Sequence, residues 1–222
     1  MTRHWPKDIR AVAFDLDGLI FNTEQIYVEV GSTILRRRDK ELTKELVDAM
    51  MGLPNLKALQ VMVDWHQLSS TSQELLDETG ELFNKLLPTH LRPMPGLLSL
   101  LDYLDTHSIP KAICTSSTPQ LVELTLDTAS LRDRFDFWLT SEDVERGKPC
   151  PDIYLMAMER FRVPGDSMLV LEDSQVGCQA GVASGACTVA VPGDHSRQHD
   201  FTGTALVADT LRDRRIYEIL AT

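Results

Sequence analysis

The stretch VAFDLDGLIFNTE, residues 12–24, decides the fold and raises the first chemical question. An apolar run of strand length, Val12–Phe14, stops at Asp15, and a second aspartate, Asp17, precedes Gly18. Side chains two residues apart in an extended segment point to the same side. At the end of a parallel strand, both carboxylates would face the crevice where open α/β sheets bind ligands. A simple strand-end turn is the alternative explanation of the motif.

Further apolar runs of strand length follow along the chain, and the later ones alternate with helical patterns. They are Ala112–Cys114, Phe137–Leu139, Met168–Leu171, Thr188–Val191 and Ala205–Ala208. This alternation predicts an α/β fold with a mainly parallel sheet covered by helices on both faces. Residues 23–87 instead show helical periodicity without a strand, which predicts about four inserted helices. We therefore expect a core of residues 1–21 and 91–222, and a separate helical domain of residues 22–90.

Composition narrows the range of partners. The 222 residues carry a net charge of −11, which disfavours binding to a nucleic acid backbone. The one dense basic run, Arg36–Arg38, is followed at once by Asp39, so we interpret it as a solvated helix end. No apolar stretch approaches the roughly 18 residues of a membrane span, and the sequence MTRHWPKD has no apolar signal-peptide segment. We expect no nucleic-acid partner and no membrane partner.

The cysteines indicate a reducing compartment. Their spacing matches neither a zinc site nor a disulfide framework. The four are Cys114, Cys150, Cys178 and Cys187. Together with the missing signal segment, this favours a cytoplasmic location.

A second strand also ends in acids, in MLVLEDS, residues 168–174. If this strand neighbours the first, Glu172 and Asp173 join Asp15 and Asp17 at one edge of the sheet. Like charges a few ångströms apart repel, so a positive charge must offset them. Carboxylate oxygens are ligands that Mg²⁺ prefers. Ser174 is placed to cap the following helix.

Two more segments carry groups that suit a phosphate. In AICTSST, residues 112–118, a strand ends in hydroxyl residues that include Thr115 and Ser116, just before a helix. Hydroxyls and free amides at a helix N-terminus bind phosphate, although helix capping by Ser117 or Thr118 is the alternative. In RGKPCPDIY, residues 146–154, the ammonium of Lys148 suits a phosphate oxygen, and an exposed loop lysine is the alternative.

Together, DxDG, the strand-terminal threonine, GKPxPD and the late ED pair resemble the haloacid dehalogenase-like hydrolase superfamily. The helical insertion directly after the first motif is similar to its β-phosphoglucomutase-like group, and the resemblance covers nearly the whole chain. It implies a Rossmann-like core with a helical cap. It also implies a Mg²⁺-dependent phosphatase that hydrolyses a small phosphomonoester, a sugar phosphate or a nucleoside monophosphate, through an aspartyl-phosphate. Residues 50–68 and 87–96 look most like phosphatases of phosphosugars and of pseudouridine 5′-phosphate.

The resemblance also assigns roles to individual residues. It makes Asp15 the nucleophile and Asp17 the acid that protonates the leaving oxygen and then activates water. Thr115 and Ser116 bind the transferring phosphoryl group, and Lys148 orients Asp15 and that group.

The same resemblance places Mg²⁺ between Asp15, the backbone carbonyl of Asp17, and Asp173. Glu172 is either a further ligand or a partner of one. The expected partner is a small phosphorylated metabolite, and the expected state is a monomer.

Four departures and alternatives concern activity and substrate. The dehalogenases of the superfamily replace the second aspartate, which is present here as Asp17. The sugar-phosphate mutases carry a cap histidine and a cap arginine where this sequence has Tyr27 and Asn55, which favours hydrolysis over mutase activity. A phosphate-binding regulator would lack a catalytic residue, and none is missing. Asn22 replaces the usual aspartate, with an effect that the sequence leaves open.

The inserted helices are expected to close over the crevice and to set specificity through side chains such as Tyr27, Asn55 and Lys57. Trp65 is expected to pack in the core of this insertion. We interpret the loop with His195 and His199 as a solvated loop near the crevice rather than as a metal site.

Overall fold

The structure is a computed structural model that describes residues 8–50, 53–194 and 196–221. The chain divides into two compact units. The helical unit is Thr23–Leu91, and the α/β unit combines the segment that ends at Asn22 with the segment that begins at Arg92. The expectation that the helical insertion closes over the crevice stays a prediction.

The α/β unit contains a fully parallel sheet. Its strands are β1 Ala11–Phe14, β2 Lys111–Cys114, β3 Phe137–Leu139, β4 Met168–Glu172, β5 Cys187–Ala190 and β6 Leu206–Val207. The strands lie in the order β3-β2-β1-β4-β5-β6, and each pairs in parallel with its neighbour. The predicted α/β fold is confirmed, and each predicted strand matches an observed one to within one residue at either end.

The helices of both units follow the sequence pattern. In the helical unit they are α1 Thr23–Arg36, α2 Lys44–Met50, α3 Asn55–His66 and α4 Ser72–His90. In the α/β unit they are α5 Leu97–Thr106, α6 Pro119–Ala129, α7 Asp152–Phe161, α8 Gln175–Ala183 and α9 Arg214–Leu220. As predicted, Ser174 caps α8, because its side chain accepts a hydrogen bond from the Gly177 amide. Among the described residues, no helix has both the length and the apolar character of a membrane span.

Side-chain alternation along β1 determines what can reach the site. Ala11 and Ala13 are fully buried in one cluster with Tyr154 and Ala157 of α7, so every second residue of β1 faces α7. Two residues after Ala13, Asp15 continues this face beyond the end of the strand. The small alanines let α7 approach the strand closely, and the side chains of α7 therefore lie near Asp15.

The helical unit confirms one expectation about its residues and corrects another. The basic run is a helix end, since α1 stops at Arg36, and Arg37 and Arg38 each pair with Glu78 at 2.7 Å. Trp65, predicted to pack in the core, is about 50% exposed. The prediction was wrong because Leu59 and Met62 carry the buried face of α3, and Trp65 lies about 120° around the helix from Leu59.

Asn22 lies where the chain leaves the α/β unit. Its side-chain oxygen accepts a hydrogen bond from the Arg92 amide at 2.7 Å, and its own amide donates to the Arg92 carbonyl at 3.2 Å. Asn22 thus joins the two segments that connect the α/β unit to the insertion. The amide side chain that replaces the usual aspartate has a structural role here.

We expect Gly177→Ala to destabilise the protein. A Cβ added at Gly177 would overlap the carboxyl group of Glu172, a side chain with no exposed surface. Overpacking of this kind costs about 1–3 kcal/mol of unfolding free energy, measurable by urea titration. Gly80→Ala is the matched control, because a Cβ there meets no atom within 4 Å. Equal stability of Gly177→Ala and the unsubstituted protein would contradict this packing.

Candidate active site

The two acid pairs meet because their strands are neighbours. Phe14 of β1 lies in register with Leu171 of β4, and the Asp15 amide donates to the Leu171 carbonyl at 3.0 Å. Asp15 therefore continues β1 directly beside Glu172. On the other side, β1 pairs with β2, which brings the end of β2 and the following Thr115 to the same edge. The strand order thus brings together three of the four motifs: the aspartate motif after β1, the threonine after β2 and the acid pair at the end of β4.

Lys148 supplies the positive charge that the carboxylates require. Its Nζ donates to Asp15 Oδ1 at 2.5 Å, to Glu172 Oε1 at 2.6 Å and to the Cys114 carbonyl at 2.8 Å. Only 4% of the side chain is exposed, so the alternative of an exposed loop lysine is wrong. Burial opposes the charge, but the carboxylates of Asp15 and Glu172 raise the pKa of Lys148 above its usual range. Lys148 is a buried cation that uses all three of its N–H donors.

Glu172 is held from several sides. Its Oε1 also accepts a hydrogen bond from the Tyr154 hydroxyl at 2.6 Å. Its Oε2 accepts from the Ser174 hydroxyl at 3.3 Å and from the Ser174 amide at 3.5 Å. These donors and Lys148 engage both oxygens of the carboxylate. Whether Glu172 is a metal ligand or the partner of one stays a prediction.

Tyr154 is a site residue that the sequence reasoning missed. A signal was available, because Tyr154 stands on the buried face of α7 with Ala157, and a buried tyrosine hydroxyl usually finds a hydrogen-bond partner. The sequence alone gave no indication that this partner is Glu172.

The buried carboxylates form a group that can hold a divalent metal ion. Asp15, Glu172 and Asp173 each offer one oxygen, and these oxygens lie within 4.8 Å of one another. Burial raises the pKa of Asp15 to about 8, with Lys148 opposing and Glu172 and Asp17 adding to the rise. When ionised, the three carboxylates and the ammonium of Lys148, which contacts two of them, carry two excess negative charges. A divalent cation with oxygen ligands fits both this charge and this donor set.

Asp17 lies in a different environment from Asp15. Gly18 turns the chain at a φ of 78°, and its amide donates to the Phe21 carbonyl at 2.9 Å. Asp17 is partly exposed, and its Oδ2 accepts a hydrogen bond from the Ser117 hydroxyl at 2.5 Å. The two aspartates of the motif are thus held by a cation and by a hydroxyl group, respectively.

Of the two phosphate-binding residues predicted after β2, Thr115 is buried at the site edge and Ser116 is exposed. Thr115 is buried, its amide donates to Leu139 of β3, and its hydroxyl oxygen accepts from the Ser117 amide at 3.0 Å. Ser116 is exposed. Helix α6 begins after Thr118, whose side chain makes no capping bond. The capping alternative is therefore wrong for both Ser117 and Thr118.

The histidine loop contacts the start of α8, two residues after Asp173. His199 accepts a hydrogen bond on Nδ1 from the Gln175 amide at 3.4 Å, at the first residue of α8. His195 lies outside the described residues. In the part of the chain that the structure describes, the one group suited to a metal ion consists of Asp15, Glu172 and Asp173.

We expect Tyr154→Phe to destabilise the protein, because it removes a donor from a fully buried carboxylate. Hydrogen bonds to charged groups contribute about 1.5–3 kcal/mol, which urea unfolding at neutral pH resolves. Tyr103→Phe is the control, since the Tyr103 hydroxyl makes no hydrogen bond within the described residues. A loss no larger than that of the control would show that the Tyr154 hydroxyl is dispensable.

Comparison with known proteins identifies the family. The family model described as haloacid dehalogenase-like hydrolase matches residues 12–191. A Drosophila melanogaster protein named "Probable pseudouridine-5′-phosphatase" is 31% identical over 208 residues, which are 90% of this chain and 89% of the relative. The phosphorylated carbohydrates phosphatase of Thermotoga maritima is 29% identical over 178 residues, 80% of this chain and 82% of that one.

A solved structure shows the same fold. The crystal structure of CbbY from Rhodobacter sphaeroides in complex with phosphate superposes with a TM-score of 0.78 at 23% identity, and the match covers 92% of this chain and 96% of that one. Residues 12–191, which the family model matches, contain the aspartate motif, the buried Lys148 and the acidic group of Asp15, Glu172 and Asp173. The chain belongs to the haloacid dehalogenase-like hydrolase family and is a phosphatase of that family.

Proposed function

We propose that the protein is a Mg²⁺-dependent phosphatase that hydrolyses a small phosphomonoester through an aspartyl-phosphate on Asp15. The observation that carries the proposal is the contact of Lys148 Nζ with Asp15 Oδ1 at 2.5 Å, inside a buried acidic group. A carboxylate nucleophile and a phosphate dianion repel each other. Both must be neutralised before they can react, and the site concentrates the groups that do so.

In the first step, an oxygen of Asp15 forms a bond to phosphorus while the bond from phosphorus to the leaving oxygen breaks. Asp17 gives its proton to that oxygen, so the leaving group departs as an alcohol. In the second step, water attacks the phosphorus, Asp17 takes a proton from it, and the bond to Asp15 breaks. Inorganic phosphate is released, and both aspartates return to their starting states.

The cation site in this proposal uses Asp15, Asp173 and the backbone carbonyl of Asp17. Bound Mg²⁺ supplies charge neutralisation to the nucleophile and to the phosphoryl oxygens. Glu172 is not among the proposed ligands, because its oxygens already accept hydrogen bonds from Lys148, Tyr154 and Ser174. Its role is to fix the ammonium of Lys148 against Asp15.

Lys148 and the segment after β2 have different roles in this proposal. All three N–H groups of Lys148 are directed at protein acceptors, so its main effects are to orient Asp15 and to supply charge. Thr115 retains its hydroxyl proton for a phosphoryl oxygen, since the bond from the Ser117 amide uses only a lone pair. Ser116, which is exposed, is the proposed second contact to the phosphoryl group.

We propose a sugar phosphate or a nucleoside monophosphate as the substrate. The names of the relatives support this range, since they refer to phosphorylated carbohydrates and to pseudouridine 5′-phosphate. Hydrolysis is favoured over phosphoryl transfer between sugar positions, because Tyr27 and Asn55 replace the histidine and arginine of the mutases. Tyr27 stacks on Phe83, with ring centroids 4.6 Å apart. All the motif residues are present, which argues against a non-catalytic regulator.

We expect metal removal to abolish activity. Phosphate release from p-nitrophenyl phosphate should fall to background in EDTA and return when Mg²⁺ is added, because the buried carboxylates lose their counter-charge. A full rate in metal-free buffer would contradict the assignment. The same assay with glucose 1-phosphate separates the alternatives: a phosphatase releases inorganic phosphate, whereas a mutase converts the substrate to an isomer.

We expect Asp15→Asn to remove essentially all turnover, because an amide cannot form the acyl phosphate. Asp17→Asn should reduce the rate by about 10²–10⁴-fold, the usual contribution of general acid–base catalysis. Fluorine NMR should detect a beryllium fluoride adduct in the unsubstituted protein but not in Asp15→Asn. Asp133→Asn, at an exposed position, is the control. Unchanged turnover in Asp15→Asn would identify another nucleophile.

A further inference from the structure

We propose that Ser117 is a positioning residue that orients Asp17 for proton transfer, an inference that rests on the proposed function. The hydroxyl of Ser117 donates to Asp17 Oδ2 at 2.5 Å, across 100 residues of sequence. This distance is within the range of hydrogen bonds from a hydroxyl group to a carboxylate. The contact therefore fixes the direction of the Asp17 side chain.

The backbone of Ser117 is itself fixed. Its amide donates to the Thr115 hydroxyl oxygen at 3.0 Å. Its carbonyl accepts two hydrogen bonds from Ser141, from the amide at 3.1 Å and from the hydroxyl at 3.2 Å. Ser141 follows β3, and Thr115 follows β2, so two strand ends determine where the Ser117 hydroxyl lies. Because its backbone is fixed, the Ser117 hydroxyl can in turn orient the Asp17 side chain.

Helix capping does not explain Ser117. The N-cap residue of α6 is Thr118, which makes no side-chain capping bond, and Pro119 occupies the first turn. The hydroxyl of Ser117 instead contacts the acid of the neighbouring strand end. A side chain in a simple capping role would face its own helix.

The chemistry of a hydroxyl group suits this task better than that of a cation. The Ser117 hydroxyl donates to Oδ2 of Asp17, which leaves Oδ1 to carry the proton that passes to the leaving group. The bond between Ser117 and Asp17 therefore persists as Asp17 gives up its proton and takes it back. An ammonium such as that of Lys148 can only donate, and it would favour the ionised form throughout. Ser117 fixes the direction of Asp17 without fixing its charge.

This role predicts a dependence on the leaving group. Phenyl phosphate and p-nitrophenyl phosphate have nearly the same shape, but phenolate is the poorer leaving group and needs the proton more. The parameter kcat/KM reports the steps up to departure of the leaving group, so it isolates the proton donated by Asp17. A Ser117 that only bound phosphate would affect both substrates alike.

The experiment measures kcat/KM for both substrates with Mg²⁺ in Ser117→Ala, Ser117→Thr and Thr118→Ala. In Ser117→Ala, the ratio of phenyl to p-nitrophenyl phosphate should fall about tenfold, a part of the general-acid contribution. Ser117→Thr restores a hydroxyl group and should restore the ratio. Thr118→Ala removes a neighbouring exposed hydroxyl and should leave the ratio unchanged. In an Asp17→Asn background, Ser117→Ala should have no further effect on the ratio.

Each other outcome is decisive. A ratio that changes less than about threefold in Ser117→Ala overturns the positioning role while the phosphatase assignment stands. A further fall of the ratio in the Asp17→Asn background overturns it as well. Failure of the unsubstituted protein to release phosphate from either substrate overturns the proposed function, and the inference with it. If Ser117→Ala does not fold, as judged by circular dichroism, Ser117→Gly gives the same comparison, because it also lacks a side-chain donor.

Discussion

The buried ammonium of Lys148 lies between Asp15 and Glu172, with its Nζ at 2.5 Å from one carboxylate and 2.6 Å from the other. Taking these charges out of water costs several kcal/mol for each ion, and only close contact between them offsets that cost. Such a group contributes little net stability, so stability alone does not account for it. It places a positive charge against Asp15 and orients the Asp15 side chain. The packing around Lys148 holds these three side chains in contact.

Glu172 transmits this constraint to two helices. Tyr154 of α7 and Ser174 at the start of α8 donate to its two oxygens. Gly177, in the first turn of α8, leaves the space that the carboxyl group fills. The residues that secure Lys148 therefore also determine how closely α7 and α8 approach the sheet. The small side chains of β1 permit that approach, so the strand sequence and the site chemistry depend on the same spacing.

Much of the fold was predictable, because it follows from local periodicity. Apolar runs of strand length and the alternation with helices indicated the number of strands. That β1 and β4 are neighbours, which places Asp15 beside Glu172, was only a condition in the sequence and is settled by the tertiary structure. Trp65 was misplaced because a helix position near the boundary of the buried face is decided by its neighbours, which periodicity does not resolve.

The contacts of the site were less predictable than the motifs. The residues after β2 present several equivalent hydroxyl groups in sequence, and Ser117 is selected by bonds to Ser141, which follows a different strand. Tyr154 finds Glu172 only once α7 packs on the sheet. Both contacts join residues far apart in the chain, so they depend on the tertiary structure rather than on spacing. The two aspartates of the DxD motif look equivalent in sequence for the same reason.

The different surroundings of Asp15 and Asp17 suit the two aspartates to different chemical roles. Asp15 is buried against a cation, which opposes the rise of its pKa that burial causes and so favours the carboxylate that a nucleophile must present. Asp17 is partly exposed and bonded to a hydroxyl group, which can follow a change of its charge. Exchanging these partners would leave the nucleophile without a counter-charge and would hold the acid as an anion. The order of the two aspartates along the chain therefore matters less than the segments before α7 and α6 from which Lys148 and Ser117 reach them.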